Sequence, residues 1–273
     1  MSTGVQSVET IWYDEEGTGQ PLIFLHGGWL SSDAWQPQVD RFATDYRVIT
    51  LDVRGHGRTG PTDPRRYSIE LFVDDLEDLL AHLEVERPIV CGLSLGSMIV
   101  QAYLDRHPDR AAGAVLAGPV QSMPPVELPP GTKPFLSPLP ALATSLSITG
   151  SKTTFRSLLA SIRTVTGGPW LSVDPSVRSR ALDAVGDVSS AEFRKVFGAL
   201  YEFEPPALSH VETPTLVLYG DHEAAPVKRQ GAHLAATVGC EPTEIPGAGH
   251  LVNQDRPEAF NDACETFFAA LER

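Results

Sequence analysis

The sequence predicts an α/β fold in which a mostly parallel sheet is flanked by helices and interrupted by a helical insertion. Short apolar runs alternate with amphipathic stretches through the first half of the chain, which is typical of a parallel sheet with crossover helices. This alternation stops at Gly118 and resumes at Thr213. The chain has 273 residues, 42% of them apolar, which is enough for one such domain and a sizeable insertion.

The elements of the first half follow from apolar periodicity. Compact apolar runs predict strands over 21–25, 47–51, 88–91 and 112–117, and the stretches over 33–42 and 97–104 predict helices. A further helix is predicted over 68–83, because its apolar residues recur with the 3.6-residue period of an α-helix. Those residues are Ile69, Phe72, Val73, Leu76, Leu79, Leu80 and Leu83.

The middle of the chain has a different character. Eight prolines between Pro119 and Pro140 are too many for regular elements. Helix-like stretches follow over 152–166, 174–187 and 191–203, with no β-run between them. The α/β pattern then returns, with strands over 214–219 and 241–245 and helices over 227–237 and 257–271. We therefore predict a core domain formed by residues 1–119 and 207–273, and a helical cap formed by residues 120–206.

The charge balance excludes several classes of partner. A formal net charge of −14 argues against binding to nucleic acid or to an anionic membrane. The chain has only four lysines against seventeen arginines. Adaptation to high salt and a GC-rich genome both explain that bias, and we favour adaptation to high salt. Nothing in the sequence indicates the oligomeric state.

The sequence predicts a cytoplasmic protein without a cofactor. The segment 1–20 lacks the basic and apolar regions of a signal peptide, and no apolar run is long enough to span a membrane. Cys91, Cys240 and Cys264 are too few and too scattered for a disulfide framework or a metal site, so a reducing compartment is expected. No phosphate-binding glycine loop is present either.

The pattern G-x-S-x-G at residues 92–96 lies between a predicted strand and a predicted helix. In that context it indicates a nucleophile elbow, a tight turn that presents a serine above the sheet. The turn forces Ser94 into a strained backbone conformation, so its neighbours Gly92 and Gly96 have to be small. We therefore predict that Ser94 is a nucleophile.

A serine nucleophile requires a general base and a carboxylate that orients the base. His250 is the candidate base, because it lies in a glycine-rich loop between the last predicted strand and the last predicted helix. The carboxylate is expected after the strand over 214–219, where Asp221 and Glu223 are both candidates. Along the chain, the nucleophile comes first, the acid second and the histidine third.

An oxyanion hole requires two backbone amides. Leu95, directly after the nucleophile, is expected to supply one of them. The other is expected from the loop that follows the strand over 21–25, where we assign Gly28, with Gly27 or Trp29 as alternatives. His26, in the same loop, is interpreted as a structural residue, and the stretch over 52–59 as a turn.

On these motifs the chain resembles the α/β-hydrolase superfamily over nearly its whole length. The matching features are His26-Gly27, the D-x-R-G-H-G-x-[ST] turn over 52–59, the elbow, the G-x-x-[DE] loop over 220–223 and the G-x-G-H loop over 247–250. The resemblance implies eight strands, a helical cap over the site, and an acid at the position of Glu223. Relatives usually carry Asp there, so Glu is a departure from the family pattern.

Within the superfamily, the chain looks most like the small esterases, perhydrolases and enol-lactonases. The cap of such proteins covers the substrate, so Trp29, Phe135 and Trp170 are candidates for the pocket wall. Further apolar candidates are Leu136, Leu139, Phe197 and Tyr201. For any single residue of the cap, packing of the cap onto the core is the favoured alternative.

The favoured function is hydrolysis of small to medium carboxylic esters through an acyl-enzyme. A carbon–carbon hydrolase, an enol-lactonase or a cofactor-free lyase could use the same triad, and a ligand receptor with negligible turnover is a remote alternative. Ser94 argues against the dehalogenases and epoxide hydrolases of this fold, which use Asp as nucleophile. Trp29 stands where perhydrolases often carry Pro, which argues against that activity.

Overall fold

A computed structural model of the chain describes residues 6–8, 11–123, 137–166 and 170–271. Its strands are β1 (Gln6–Val8), β2 (Ile11–Glu16), β3 (Gln20–Leu25), β4 (Tyr46–Leu51), β5 (Ile89–Leu93), β6 (Gly113–Ala117), β7 (Thr215–Gly220) and β8 (Thr243–Ile245). Its helices are α1 (Gln36–Phe42), α2 (Ile69–His82), α3 (Leu95–Arg106), α4 (Leu139–Thr166), α5 (Pro175–Asp187), α6 (Ser190–Glu202), α7 (Ala225–Thr237), α8 (Val252–Asp255) and α9 (Pro257–Leu271).

The eight strands form one sheet in the order β1-β2-β4-β3-β5-β6-β7-β8. Strands β3 to β8 are parallel, whereas β1 and β2 are antiparallel to their neighbours. The predicted fold class, an α/β hydrolase with a mostly parallel eight-stranded sheet, is confirmed.

Strands β1 and β2 were not predicted from the sequence. In β2, Ile11 and Tyr13 are buried, and the intervening Trp12 is only partly buried. Residues 14–16 are all partly exposed, so the alternation covers too few residues to distinguish a strand from a polar loop. Pairing with β4 gives this segment its structure.

The strand order determines where a ligand can bind. The chain leaves β3 to form β4 on one side of it, and later returns to form β5 on its other side. In open α/β sheets such a reversal of direction leaves a crevice at the carboxyl ends of the two strands. The loop after β3 and the turn after β5 border this crevice, and these segments contain Gly28 and Ser94.

Helix α2 illustrates how the predicted elements form. Ser68 precedes it with an extended backbone, and its hydroxyl accepts a hydrogen bond from the Leu71 amide, which caps the helix. Six of the seven residues with helical spacing are buried, namely Ile69, Phe72, Val73, Leu76, Leu79 and Leu80, whereas Leu83 at the C-cap is only partly buried. The burial of this apolar face stabilises the helix more than its intrinsic propensity does.

Helices α4, α5 and α6, which we call the inserted helices, lie between β6 and β7 in the sequence. Helix α4 is bent at Gly150, whose φ of 75° is outside the helical region. It begins at Leu139, thirteen residues before the predicted start at 152. Proline fits the first turn of a helix, where the missing amide hydrogen has no partner, so Pro140 is compatible with this start. None of the helices in the described residues is long and apolar enough to cross a membrane.

Candidate active site

Ser94 occupies the turn between β5 and α3 with φ 54° and ψ −108°, a conformation that L-residues rarely adopt. Its amide donates to the Ala117 carbonyl at 3.0 Å, and its carbonyl accepts from the Met98 amide at 3.1 Å. These backbone bonds to β6 and α3 hold the strained residue in place. Its hydroxyl makes no hydrogen bond to any described residue.

The two glycines of the elbow are required by close backbone contacts. A Cβ atom at Gly92 would lie 2.2 Å from the Gly96 carbonyl oxygen, and one at Gly96 would lie 2.1 Å from the Leu25 carbonyl oxygen. Real Cβ atoms do not approach other atoms so closely. Both positions therefore require small residues, as the sequence predicted.

His250 and Glu223 come together at the carboxyl edge of the sheet. His250 Nδ1 lies 2.5 Å from Glu223 Oε2, and both side chains are buried. An ionised carboxylate only accepts hydrogen bonds, so Nδ1 is the protonated nitrogen and Nε2 is left as the acceptor. The other carboxylate oxygen, Oε1, accepts from the Ala224 amide at 2.7 Å, which fixes the orientation of the acid.

Asp221, the alternative acid, has a different environment. Its Oδ1 accepts hydrogen bonds from the amides of Gly247 at 2.7 Å and Ala248 at 3.2 Å. This exposed carboxylate therefore supports the loop that carries His250, while Glu223 contacts the imidazole itself. The geometry distinguishes the two carboxylates, which spacing alone left open.

The loop after β3 packs directly against the elbow. A Cβ atom at Gly27 would lie 3.6 Å from Ser94 Cβ, and one at Gly28 would lie 3.9 Å from Leu95 Cβ. Leu95 is the first residue of α3, so its amide has no acceptor within the helix. The Gly28 amide likewise has no acceptor among the described residues. Two unpaired amides beside one serine can stabilise a developing oxyanion.

A cavity of about 290 Å³ lies between the elbow and the inserted helices. Ser94 and His250 line it on the side of the sheet, together with the loop after β3. The opposite wall consists mainly of apolar side chains from all three inserted helices, and Ser161 of α4 also lines it. The apolar residues are Phe155, Leu158 and Leu159 of α4, Ala181 and Val185 of α5, and Phe197 and Leu200 of α6. No Asp, Glu, Lys or Arg is among the described residues that line this cavity.

Trp29 and Trp170, two of the candidates for the pocket wall, both line the cavity. Trp29 has a φ of 61°, and its indole stacks on Phe193 of α6 at a centroid distance of 4.4 Å. Trp170 contacts the imidazole of His250 edge-on, with ring centroids 5.1 Å apart. Each tryptophan therefore joins the inserted segment to the carboxyl edge of the sheet.

The other predicted wall residues have mixed outcomes. Phe197 lines the cavity, whereas Tyr201 is buried outside its wall. Leu139 borders a separate cleft beside Arg65 and Arg194. Phe135 and Leu136 lie outside the described residues.

Several wall residues were missed by sequence reasoning. Phe155, Leu158 and Leu159 are spaced three and four residues apart, so they share one face of α4. That spacing could have shown which face is apolar. It could not have shown whether the face covers the cavity or packs on a neighbouring helix.

His26 has the structural role that the sequence suggested. Its Nε2 accepts a hydrogen bond from the Val53 amide at 3.0 Å, and its Nδ1 lies 2.8 Å from the Gly27 carbonyl. Complete burial lowers its pKa, against the opposing influence of Asp52. The neighbouring His56 is buried as well, and burial lowers its pKa to about 3. Both rings are therefore neutral and structural.

Residues 22–263 match the family model described as the alpha/beta hydrolase family, and the chain belongs to that family. It is 26% identical to 3-oxoadipate enol-lactonase 2 of Acinetobacter baylyi, over 89% of this chain and 86% of that protein. It is 24% identical to carboxylesterase YbfK of Bacillus subtilis, over 90% of this chain and 79% of that protein.

A solved structure with a similar fold is the thermophilic esterase of Thermogutta terrifontis. The TM-score is 0.81 at 21% identity, and the match covers 100% of this chain and 99% of that one. The chain is a hydrolase of this fold, and relatives named for different ester and lactone substrates share it.

Proposed function

We propose that this protein is a serine hydrolase that cleaves carboxylic esters through an acyl-enzyme intermediate. The proposal rests mainly on one observation: Ser94 and His250 line the same cavity, and His250 is hydrogen-bonded to the buried Glu223. Nucleophile, base and orienting acid are the three groups that acyl transfer through serine requires.

In the first half of the reaction, His250 removes the Ser94 hydroxyl proton as the oxygen attacks the carbonyl carbon. The carbonyl electron pair moves to its oxygen, which accepts hydrogen bonds from the amides of Leu95 and Gly28. When the carbonyl re-forms, the ester C–O bond breaks and His250 gives its proton to the leaving alcohol. Binding of the substrate brings the serine and the imidazole into hydrogen-bonding distance.

In the second half, His250 takes a proton from a water molecule, and the resulting hydroxide attacks the acyl carbon. The bond to Ser94 breaks, the serine recovers its proton, and a carboxylic acid leaves. Glu223 holds His250 in the tautomer that both halves need and stabilises the imidazolium that forms in each.

The cavity supports a neutral, apolar acyl group of medium size. A cavity of about 290 Å³ lies at the lower end of the roughly 300–1,000 Å³ that is typical of small-molecule sites, which agrees with a substrate of small to medium size. A charged group in this wall would lose hydration without gaining a partner, which is costly. The names of the esterase and carboxylesterase relatives agree with the proposed reaction.

The proposal is tested with p-nitrophenyl esters from acetate to dodecanoate. We expect kcat/KM to rise from acetate to about hexanoate or octanoate and to fall for longer chains. Mono-p-nitrophenyl succinate and p-nitrophenyl valerate form a matched pair of similar size. The succinate should be cleaved at least tenfold more slowly, because its carboxylate is charged.

The control variant is Ser94→Ala, which should abolish turnover of every ester in the series. Full activity in that variant would contradict the proposal. No Ser94-dependent activity on any ester would instead favour a carbon–carbon hydrolase, a lyase or an enol-lactonase. Tight binding of a ligand with single-turnover cleavage would favour a receptor.

A further inference from the structure

Asp255, at the end of α8, accepts hydrogen bonds from two separate parts of the chain. On one side, its Oδ2 accepts from the Gly249 amide at 2.8 Å, one residue before His250. On the other, its Oδ1 accepts from Ser172 Oγ at 2.6 Å, and its Oδ2 accepts from the Val173 amide at 2.9 Å. The carboxylate is nine-tenths buried, and these donors replace the water that it has lost.

Segment 170–174, which connects α4 to α5, also pairs with the histidine loop through its backbone. The amide of His250 donates to the Trp170 carbonyl at 2.7 Å, and that of Leu251 donates to the Leu171 carbonyl at 2.9 Å. A Cβ atom at Gly249 would lie 2.6 Å from the Trp170 carbonyl oxygen, so glycine is needed for this approach. Two chain segments distant in sequence thus form one hydrogen-bonded unit around the imidazole.

The histidine loop has little side-chain packing of its own, because residues 247–249 are Gly-Ala-Gly. Its amides are instead held by two carboxylates. Asp221 binds the first two amides from the side of β7, and Asp255 binds the third from the side of α8. Only Asp255 also binds the segment that leads into α5.

We propose that Asp255 is a positioning residue that couples the inserted helices to His250. Through its shared carboxylate, the segment entering α5 and the loop of the general base are held in one geometry. The inference rests on the proposed function of His250 as the base. It goes beyond that function in one respect, namely that Asp255 positions the inserted helices over the cavity and the base His250 together.

The variant Asp255→Asn tests this coupling, because an amide cannot accept hydrogen bonds at its nitrogen and therefore leaves buried donors unpaired. We expect kcat for p-nitrophenyl hexanoate to fall at least tenfold while KM changes less than threefold. The downfield proton resonance of His250 Nδ1, which reports its hydrogen bond to Glu223, should shift or broaden in the proton NMR spectrum.

The milder variant Ser172→Ala removes the one side-chain donor to Asp255 from the inserted segment. Ser172→Ala should reduce kcat about threefold. The kcat of the double variant should be no lower than that of Asp255→Asn alone, since both changes break one hydrogen-bond network. The matched control is Asp75→Asn, which disrupts a buried carboxylate paired with Arg54 outside the cavity wall. That control should unfold more easily with kcat and the His250 resonance unchanged.

The coupling is overturned if Asp255→Asn keeps the wild-type kcat and resonance while losing as much stability as Asp75→Asn. If Asp255→Asn does not fold, an unchanged resonance and kcat in Ser172→Ala overturn it. Failure of the proposed function is a separate result, namely a wild-type enzyme without Ser94-dependent turnover. In that case the NMR resonance alone decides the coupling.

Discussion

At the scale of single residues, the geometry of the site depends on a few positions with close contacts. Ser94 has a backbone conformation that costs roughly 1–3 kcal/mol, and the surrounding backbone bonds maintain it. Gly96 is in contact with the Leu25 carbonyl, and the Glu223 carboxylate is oriented towards His250 by the hydrogen bond that its Oε1 accepts from the Ala224 amide. Each of these residues can be tested by one substitution.

The variant Gly96→Ala should destabilise the protein by about 1–3 kcal/mol, because its methyl group would overlap the Leu25 carbonyl oxygen. Displacement of Ser94 should also reduce kcat by roughly a hundredfold. Urea denaturation and ester hydrolysis measure the two effects. Gly198→Ala in α6 is the control, since a Cβ there meets no atom within 4 Å, and it should be neutral or stabilising.

Glu223→Gln should reduce kcat/KM by roughly 10³- to 10⁴-fold, because an amide does not stabilise the imidazolium of His250. Asp221→Asn should cost less than tenfold, since its remaining oxygen can still accept from Gly247 and Ala248. Steady-state kinetics of the two variants compares them directly. A larger loss in Asp221→Asn would make Asp221 the functional acid.

His56 should make the protein less stable in mild acid. Burial lowers its pKa to about 3, whereas the unfolded chain takes up a proton near pH 6.5. The contribution to stability is therefore complete above pH 6.5 and is lost as the pH falls, by about 2 kcal/mol at pH 5. The free energy of unfolding of His56→Gln should fall less between pH 8 and pH 5 than that of the wild type, and an equal fall would contradict the assignment.

At the scale of elements, the inserted helices determine the shape of the cavity. Each of them contributes apolar residues to the wall, and α6 is attached to the core by Trp29 stacked on Phe193. Glu192, near the start of α6, accepts a short hydrogen bond from the Tyr67 hydroxyl of the core and pairs with Lys195 at 2.7 Å. The wall opposite Ser94 is therefore fixed by contacts outside the reaction centre.

Phe155→Ala should enlarge the cavity on the α4 side and shift the preferred acyl chain to a longer one. We expect kcat/KM for p-nitrophenyl decanoate to rise relative to butyrate by at least fivefold. The measurement is the ratio of kcat/KM for decanoate to kcat/KM for butyrate, compared between the variant and the wild type. Ile148→Ala, on the exposed side of the same helix, should leave the ratio unchanged. An unchanged ratio in Phe155→Ala would place the acyl group elsewhere.

At the scale of the whole molecule, a charge of −14 on 273 residues generates repulsion between like charges on the surface. Screening of that repulsion is nearly complete by about 1 M salt, where the Debye length is about 3 Å. The two explanations for the excess of arginine over lysine differ in what they predict beyond that point.

If the acidic surface is an adaptation to high salt, the midpoint of thermal unfolding should continue to rise between 1 M and 3 M potassium chloride. A curve that is flat or falling in this range would favour the bias of a GC-rich genome. The same titration in sucrose controls for a general effect of solvent exclusion on burial.

Much of the fold could be predicted because its signals are local. The helix at 69–82 has an uninterrupted 3.6-residue period, and the turn at 92–96 has a pattern that the backbone geometry itself requires. The helix that begins at Leu139 and the strand β2 could not be predicted. Proline-rich sequence is compatible with a helix start but does not indicate one, and β2 depends on pairing with a strand thirty residues later.

The sequence by itself determined strands β3 to β8, the elbow at Ser94 and the loops that carry His250 and the two candidate acids, since residue types and spacing encode each of them locally. Only the tertiary structure shows that Glu223 contacts the His250 imidazole while Asp221 binds the amides of Gly247 and Ala248, because the two carboxylates lie in one loop two residues apart. The tertiary structure also decided which apolar residues of the inserted helices line the cavity. Such contacts arise between segments far apart in the chain, and no local pattern specifies them.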